Sequence, residues 1–497
     1  MVSSSRGNGR RVTPAETTAI DTGLRGRGLD RAAEQRRGGV SASHLANRPS
    51  SVALRFVPGE VIVRFAGGSR GDASRSAASF TGAEGEMAYP ERGDFALMKL
   101  APDVDPEAAA RELNARTDVV YAQPNYFRQP LFVPDDPFFN LQWNLMQIGM
   151  ERAWDVNPGS RDTVIVAVID SGLAFQDADI DFTADAFTLE GVQYPALGAI
   201  TVPFAASEDL GDVDRVVAPF DFVWGDENPV DMDGHGTHVS GTIGQATNNN
   251  TGVAGVAFNV RLMPLKVLAG EWDVAFGAAT VCCGAADADV AEAIRYAVDN
   301  GADVINLSLG GPDPSPVIDE AVAFAVNRGV FVALAAGNSF QDGNPTMWPA
   351  AAAKDIDGAM AVAAVDRERG HARYSSTGDY IEIAAPGGDS LHDPFDGVLQ
   401  HTLDPDFALT FQEPLFRFRA PRFDVLALLF FEGTSMASPH VAGVAALLKS
   451  QGVGSPAAIE AAIKSTAVDL GETGDDEEFG AGLVDAAALV RGLGLSR

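Results

Sequence analysis

A serine lies where an extended segment of the chain turns into an apolar helix. Ser435 comes two residues after Gly433, which permits a close approach of the backbone. Val441, Val444 and Leu448 then follow at helical spacing. A hydroxyl at a helix N-terminus lies among unpaired backbone N–H groups, which can hold an oxyanion beside it. Most such serines only cap a helix, so acyl-transfer chemistry also requires a base, a carboxylate and an oxyanion donor.

A candidate general base stands between two glycines at the start of a second predicted helix. His235 is open to a peptide substrate there, because the glycines keep bulk away from its ring. The alternative is a zinc site, since His238 follows three residues later on the same helical turn. Zinc needs further ligands at matching spacing, and the two cysteines of the chain, Cys282 and Cys283, are adjacent. We therefore predict a catalytic His235 and a packed His238.

Two further polar residues come at the ends of predicted buried strands. Asp170 follows the apolar run 164–169, and Asn338 comes shortly after the run 330–335. Open α/β sheets place their sites at the carboxyl ends of the strands. There Asp170 could accept a hydrogen bond from His235, and the Asn338 amide could donate one to an oxyanion. Taken singly, each residue has a plain alternative as a cap or turn residue.

These segments resemble the motifs of one protease family. The runs DSG at 170–172, DGHGTHVSG at 233–241, AAGN at 335–338 and GTSMASPHVAG at 433–443 are similar to those of subtilisin-like serine proteases (subtilases). The resemblance spans about residues 135–490. The chain order Asp, His, Ser is that of subtilisin and differs from the orders of chymotrypsin and the α/β-hydrolases.

The resemblance implies a serine endopeptidase that acts through an acyl-enzyme and is autoprocessed from a zymogen. Asp170, His235 and Ser435 would form the triad, and Asn338 would stabilise the oxyanion. The partners would be protein or peptide substrates. A catalytically silent peptide-binding homologue is the alternative from another class, and the presence of all four residues argues against it. An ordinary histidine base would lose activity below about pH 6–7.

The resemblance also assigns substrate contacts. The segment 306–311 is similar to the subtilase strand that pairs with the substrate backbone, and 335–337 is similar to the opposite wall of the primary specificity pocket. Small residues on both walls leave room for an apolar side chain, and Met347 is the expected floor, which would disfavour very large aromatics. We expect broad or apolar-preferring specificity. The predicted substrate-binding residues are Ser308, Leu309, Gly310, Ala335, Ala336, Gly337 and Met347.

A loop after the His235 helix suggests a structural calcium ion. The run TNNNTGV at 247–253 resembles the loop that wraps the strong calcium site of subtilases. By that resemblance, Gln142, Asp179 and Asn249 are the predicted ligands, and all three offer the hard oxygen atoms that Ca²⁺ prefers. An ordinary polar turn is the alternative.

The chain divides into three predicted parts. Residues 1–53 are expected to be disordered and basic from their composition. Residues 54–130, with a predicted helix near 70–81, resemble the inhibitor-type propeptide of subtilases, so this part is expected to be an intramolecular inhibitor. An unrelated N-terminal domain is the alternative. Residues 135–497 form the predicted peptidase domain, and the Pro-containing segment 128–136 is the expected autocleavage region.

Strand and helix patterns alternate through the predicted peptidase domain. Such alternation predicts a three-layer α/β fold with a mostly parallel sheet, here preceded by a small α+β propeptide. Insertions at 182–219 and 392–430 and a variable loop at 270–288 depart from a minimal subtilase. Alternating apolar and charged residues at 415–419 predict a β-hairpin.

Composition limits the partners and the location of the protein. A net charge of −32 over 497 residues argues against nucleic acid as a partner. No apolar run is long enough to span a bilayer, so no membrane anchor is expected, and a monomer is expected. No signal peptide is visible in residues 1–50, and an extracellular location is expected from the family alone. Adjacent cysteines rarely bridge each other, so free thiols are expected.

Overall fold

The structure, a computed structural model, describes most of the chain. The described residues are 56–66, 87–88, 94–101, 104–126, 132–189, 191–210, 213–408 and 418–492. Those up to residue 126 belong to one compact unit and those from residue 132 onward to another. The segment 1–53, predicted to be disordered, and the helix predicted near 70–81 lie outside the described residues.

The first unit is a small α+β domain. Its four strands form an antiparallel sheet in the order β2-β3-β1-β4. Its helix begins where Asp105 accepts hydrogen bonds from two backbone N–H groups of the first turn, and Leu113 lies in the same buried cluster as Val61 and Val63. The elements are β1 Phe56–Phe65, β2 Met87–Ala88, β3 Ala96–Lys99, α1 Pro106–Asn114 and β4 Val119–Tyr126. The predicted α+β character is confirmed.

The second unit contains thirteen strands and ten helices among its described residues. The strands are β5 Ile165–Asp170, β6 Ala178–Ala184, β7 Phe187–Leu189, β8 Val192–Tyr194, β9 Gly198–Phe204, β10 Phe220–Asp221, β11 Arg261–Lys266, β12 Val304–Leu307, β13 Phe331–Ala335, β14 Ala359–Val365, β15 Ile383–Pro386, β16 Val398–Leu403 and β17 Leu426–Phe431. The helices are α2 Trp143–Gln147, α3 Met150–Trp154, α4 His235–Gly244, α5 Glu271–Ala275, α6 Asp287–Asp299, α7 Pro316–Asn327, α8 Pro405–Ala408, α9 Thr434–Ser450, α10 Pro456–Thr466 and α11 Ala486–Val490. Short 3-10 helices occur at Phe139–Leu141, Val213–Arg215, Phe340–Asp342, Ala350–Asp355 and Pro394–Asp396.

A seven-stranded parallel sheet forms the centre of this unit. Its order is β10-β11-β5-β12-β13-β14-β15, and every neighbouring pair is parallel. The inner strands consist mainly of Ala, Val, Ile and Leu, because both of their faces are buried. After β5 the chain forms β10 and β11 on one side of it and then crosses to β12 on the other, which makes the end of β5 a topological switch point where α/β sheets bind ligands.

Two groups of helices cover the sheet. Helices α4 and α9 contact each other, and they contact strands β5 and β12 to β15. Helices α6 and α7 form a second contacting group, which packs on β5 and β13. The predicted three-layer α/β fold is therefore confirmed. No helix among the described ranges of the chain is long and apolar enough to cross a membrane.

The sequence insertions converge in a second apolar cluster. This accessory cluster combines residues from 174–204, 230–232, 272–275 and 403–423, and its largest members are Trp272, Phe204 and Phe423. The hairpin predicted at 415–419 lies largely outside the described residues, and Phe418 is in an irregular segment packed on Trp272. The described antiparallel strand pair of that region is β16–β17.

The expectation of free thiols was wrong. Cys282 and Cys283 form a disulfide between adjacent residues, and no free cysteine remains in the chain. The side chains of adjacent residues normally diverge. Cys283, however, has a φ of 67° and lies in a tight turn, where its backbone N–H donates to the Ala269 carbonyl at 2.7 Å. This turn brings the two side chains to the same side of the backbone.

Candidate active site

Asp170 and His235 meet at the carboxyl end of the central strand. Asp170 is fully buried at the end of β5, and its Oδ1 lies 2.7 Å from His235 Nδ1. His235 is the first residue of α4. A Cβ at Gly236 would lie 2.3 Å from the carbonyl oxygen of Gly172. Only glycine therefore permits the close contact of α4 with the turn after β5 that joins the two side chains.

The surroundings of His235 strongly alter its basicity. Its side chain is 26% exposed. Burial lowers the pKa of the imidazole, but the charge and hydrogen bond of Asp170 and the charges of Asp233 and Asp231 outweigh that effect and raise the pKa to about 9. The imidazolium form is thus stabilised, which is the form that a general base reaches after it has accepted a proton.

His238 has a purely structural environment. It is fully buried, its Nε2 lies 3.0 Å from the Val398 carbonyl, and its ring stacks on Phe431 with centroids 4.4 Å apart. Burial lowers its pKa to about 3, so it is neutral. The one metal-compatible cluster of His, Cys, Asp and Glu within the described ranges is Glu271 with Cys282 and Cys283, whose sulfurs are joined to each other. This packing agrees with the interpretation of His238 as a packed histidine.

Ser435 lies in the first turn of α9, within reach of the end of β12. Its Oγ donates a hydrogen bond to the Ser308 carbonyl at 3.2 Å. In return, the Ser308 hydroxyl donates to the Ser435 carbonyl at 2.8 Å. Asn306 Nδ2 lies 3.0 Å from the Ser308 hydroxyl, and Asn306 Oδ1 accepts from the Ser438 hydroxyl at 2.8 Å. These bonds fix the first turn of the helix to β12.

Two N–H donors converge beside Ser435. The Oδ1 atom of Asn338 accepts hydrogen bonds from the backbone N–H and the hydroxyl of Thr434, both at 2.9 Å, which directs the amide nitrogen away from Thr434. Gly433 has a φ of 151°, and a Cβ placed on it would lie 3.4 Å from Asn338 Nδ2 and 3.6 Å from Ser435 N. The space that this glycine leaves open is therefore flanked by both nitrogens, and N–H donors in such an arrangement can stabilise an oxyanion.

The predicted substrate-binding residues lie on two neighbouring segments. Ser308, Leu309 and Gly310 follow β12, whereas Ala335 ends β13 and Ala336 and Gly337 follow it. A Cβ at Gly337 would lie 2.5 Å from Met347 Cγ, so Met347 packs directly against this wall. Gly311 pairs with Trp348 through two backbone hydrogen bonds, which joins the segment of Met347 to the opposite wall.

The three predicted calcium ligands lie on three different segments. Gln142 is buried, and its amide is engaged with the backbone of Ala254, with bonds of 2.8 and 2.7 Å. Asp179 is an exposed residue of β6, paired in register with Pro203. Asn249 alone lies in the loop, where its Nδ2 donates to Asp209 at 3.0 Å. The ligand set of Gln142, Asp179 and Asn249 therefore stays a prediction, in which the Gln142 amide is already engaged with the backbone.

Two buried carboxylates that the sequence reasoning missed surround this loop. Asp136 accepts from the backbone of Asn248 at 2.8 Å, and Asp209 accepts from the backbone of Val253 at 2.8 Å and from Asn249. Burial and the nearby charge of Asp136 raise the pKa of Asp209 to about 6, against the lowering effect of its hydrogen bonds. Asp136 opens the predicted peptidase domain, whereas Asp209 lies in an insertion where no local pattern marks it.

The fold and the site together define a class of protein: a hydrolase-like enzyme built on a parallel α/β sheet, with an Asp–His pair, a serine at a helix N-terminus and two nearby N–H donors. Comparison with known families identifies it further. Residues 161–482 match the subtilase family, and residues 45–125 match the fervidolysin N-terminal prodomain. The chain belongs to the subtilase family. It is a subtilisin-like serine endopeptidase with an N-terminal prodomain.

Individual relatives agree with this assignment. A thermophilic serine proteinase of Bacillus sp. (strain AK1) is 31% identical over 430 residues, which cover 86% of each chain. Thermitase of Thermoactinomyces vulgaris is 31% identical over 69% of this chain and 94% of its own. Among solved structures, a protease of Pseudoalteromonas arctica PAMC 21717 is 28% identical with a TM-score of 0.53, covering 72% of this chain and 99% of its own. Fervidolysin of Fervidobacterium pennivorans, at 23% identity and a TM-score of 0.50 over 88% of this chain and 62% of its own, shares the fold.

Proposed function

We propose that Ser435 is the nucleophile of this endopeptidase, with His235 as its base and Asp170 as the orienting carboxylate. The observation that carries the proposal is the 2.7 Å contact between Asp170 Oδ1 and His235 Nδ1 at the switch point of the sheet. It is supported by the position of Ser435 at the start of α9, beside two converging N–H donors. The Asp170 carboxylate fixes the ring so that Nε2 is the atom presented to the serine.

The proposed reaction is acyl transfer in two steps. The Ser435 hydroxyl, now bonded to the Ser308 carbonyl, rotates toward His235 and transfers its proton to Nε2 as its oxygen attacks the peptide carbonyl. Asn338 Nδ2 and the Ser435 N–H stabilise the oxyanion, and the imidazolium protonates the leaving amine. Water, deprotonated by His235, then cleaves the acyl-enzyme and regenerates the serine.

Replacement of the nucleophile tests the proposal directly. Purified wild-type chain and Ser435→Ala are compared for peptide-amide hydrolysis and for intact mass. We expect turnover and cleavage between the prodomain and the peptidase domain in wild type only, with the mutant folded and full length. Self-processing or turnover by the purified mutant would contradict the assignment. A folded, uncut and inactive wild type would instead favour the peptide-binding homologue.

We propose a preference for apolar side chains of moderate size on the acyl side of the scissile bond. Met347 is 6% exposed and packs on Gly337, which supports the proposal that its side chain forms the floor between the two pocket walls. Met347→Ala should therefore raise kcat/KM for substrates with Phe or Tyr relative to those with Ala or Leu. An unchanged ratio would show that Met347 is not the floor.

The prodomain match supports regulation by an intramolecular inhibitor. We propose that residues 54–130 inhibit the peptidase domain of 135–497 until the segment 128–136 is cut, and that the enzyme then acts outside the cell. Inhibition of the mature enzyme by the separately added prodomain, and activity recovered from the culture medium, would be the expected results. Lack of inhibition in this assay would contradict the proposal that the prodomain inhibits the peptidase domain.

We also propose that a structural calcium ion is held by Asp136, Asp209 and Asn249, a revised ligand set. Burial raises the pKa of both Asp209 and Asp136, the charge of Asp136 raises that of Asp209 further, and a divalent cation between the two would favour their ionised forms. Oxygen donors from carboxylates, an amide and loop carbonyls suit Ca²⁺. The ion would tie the start of the peptidase domain to the loop 247–253. Calcium should raise the Tm of wild type, and Asp209→Asn should abolish that rise; an equal rise in both would exclude this site.

A further inference from the structure

Glu432, the residue before the Gly433 turn that leads to Ser435, lies in a group of charged side chains. Glu432 follows β17 directly, its side chain is 3% exposed, and it lies three positions before Ser435. Arg373 donates to both of its carboxylate oxygens, from Nη2 to Oε1 and from Nη1 to Oε2, the latter at 3.3 Å. Asp389 accepts from the side chain of the same arginine and from its backbone N–H, the latter at 2.9 Å.

The loop after β15 binds both Glu432 and the backbone of the next residue. The Ser390 hydroxyl donates to Glu432 Oε2 at 2.6 Å, and the Ser390 N–H donates to the same oxygen. Next along the chain, the Gly433 N–H donates to the Gly387 carbonyl at 3.1 Å. The segment that delivers Ser435 is therefore fastened to Arg373, between β14 and β15, by one bidentate ion pair and to the loop after β15 by three hydrogen bonds.

Stability alone gives a poor reason for this arrangement. Arg373 carries one positive charge against two carboxylates, and its side chain is only 25% exposed. Desolvation of such a group offsets most of its Coulomb attraction, so a buried ion pair is weak grounds for stability and a better candidate for fixing one conformation. The conformation fixed here is that of Gly433. This glycine leaves open the space between the Asn338 amide and the Ser435 N–H.

We infer that Glu432, held by Arg373, is a positioning residue for the oxyanion hole. It touches neither substrate nor the reacting atoms, and the inference rests on the proposed roles of Ser435 and Asn338. The Asn338–Thr434 bonds secure one side of the Gly433 turn, and the Glu432 cluster secures the side facing the loop 387–390. Loss of the second support would let the Ser435 N–H shift relative to the developing oxyanion. Binding of ground-state substrate, which does not need that alignment, would be retained.

The test compares variants per active site. The full chain is produced as wild type, Glu432→Ala, Glu432→Gln and Arg373→Lys, and active sites are counted with a fluorophosphonate probe. Hydrolysis of a peptide p-nitroanilide gives kcat and KM. The affinity of a peptide aldehyde, which forms a tetrahedral adduct, is compared with that of the corresponding product peptide.

Glu432→Ala should lower kcat about tenfold to a hundredfold, the scale of a sub-ångström to ångström misplacement, with KM unchanged within about twofold. Aldehyde affinity should fall in parallel with kcat, and product affinity should not. Glu432→Gln and Arg373→Lys should give smaller losses of the same kind. If Glu432→Ala does not fold, the two conservative variants decide.

Glu382 provides a matched control. It is 7% exposed, pairs with Lys464 at 3.2 Å and accepts from the Ala361 N–H, away from the nucleophile segment. Glu382→Ala should lower Tm and leave kcat per active site unchanged. Equal kcat in wild type and in both Glu432 variants, or a rise in KM instead, would overturn the inference. A wild type that the probe does not label would refute the proposed function itself.

Discussion

The central sheet and the accessory cluster are both packed with apolar side chains, but the side chains differ in size. Strand β14, with the sequence AMAVAAV, is buried throughout, because small side chains suit the regular spacing of strands and helices. The accessory cluster has no large sheet, and Trp272, Phe204 and Phe423 fill the irregular space between its four segments. The central sheet therefore positions the reacting residues, whereas the accessory cluster holds the inserted loops in place.

The largest effect is expected in the central region, at the oxyanion hole. Asn338→Ala removes the amide donor and frees Thr434 from its partner, while the triad remains. Turnover should fall by about 10²–10³, a magnitude taken from subtilisin itself, with a smaller change in KM. Steady-state kinetics per titrated active site measure it. A loss below threefold would mean that the amide does not face the reacting carbonyl.

A second effect in the same region concerns pH. His235 acts as a base only when neutral, so a pKa near 9 predicts that kcat/KM falls about tenfold for each pH unit below that value. This is more alkaline than the midpoint of pH 6–7 expected for an ordinary histidine. Asp233→Asn removes a charge that raises the His235 pKa, so the midpoint should move to lower pH. A pH–rate profile that is the same in both proteins would contradict this electrostatic account.

The smallest effect on turnover is expected in the accessory cluster. Trp272 is fully buried, donates to the Ala408 carbonyl at 2.9 Å and stacks on Phe276 and Phe418. Trp272→Ala should cost about 3–5 kcal/mol of stability and lower Tm. Turnover per active site should change by less than about threefold, since no reacting group is displaced.

Phe331→Ala is the matched change in the central sheet. Phe331 is also fully buried, and it begins the strand that leads to Asn338. A comparable loss of stability there should also reduce the fraction of active enzyme. If Trp272→Ala instead lowered turnover per site as strongly as Asn338→Ala, the accessory cluster would also control catalysis, which would contradict the distinction between the two regions.

The sequence predicted the central region well, for a physical reason. Buried parallel strands are continuous apolar runs, so β5, β12, β13 and β14 and the residues at their ends could be recognised locally. The strands β10 and β15 escaped notice because they are short.

The accessory region and the loop around Asn249 depended on contacts between distant segments. Nothing in the sequence near Asp209 indicates that it meets Asp136 and Asn249, and the disulfide at 282–283 depends on a local turn with positive φ. Glu432 was missed for the same reason, since Arg373 lies 59 residues away from it in the chain.

The most direct measurement maps the reactive serine. Wild-type enzyme is treated with a fluorophosphonate probe, digested and analysed by peptide mass mapping, with His235→Ala in parallel. The account predicts one label per chain on the peptide containing Ser435, and labelling slowed by several orders of magnitude without His235. A label on any other serine, or equal labelling rates in the two proteins, would contradict the assigned active site.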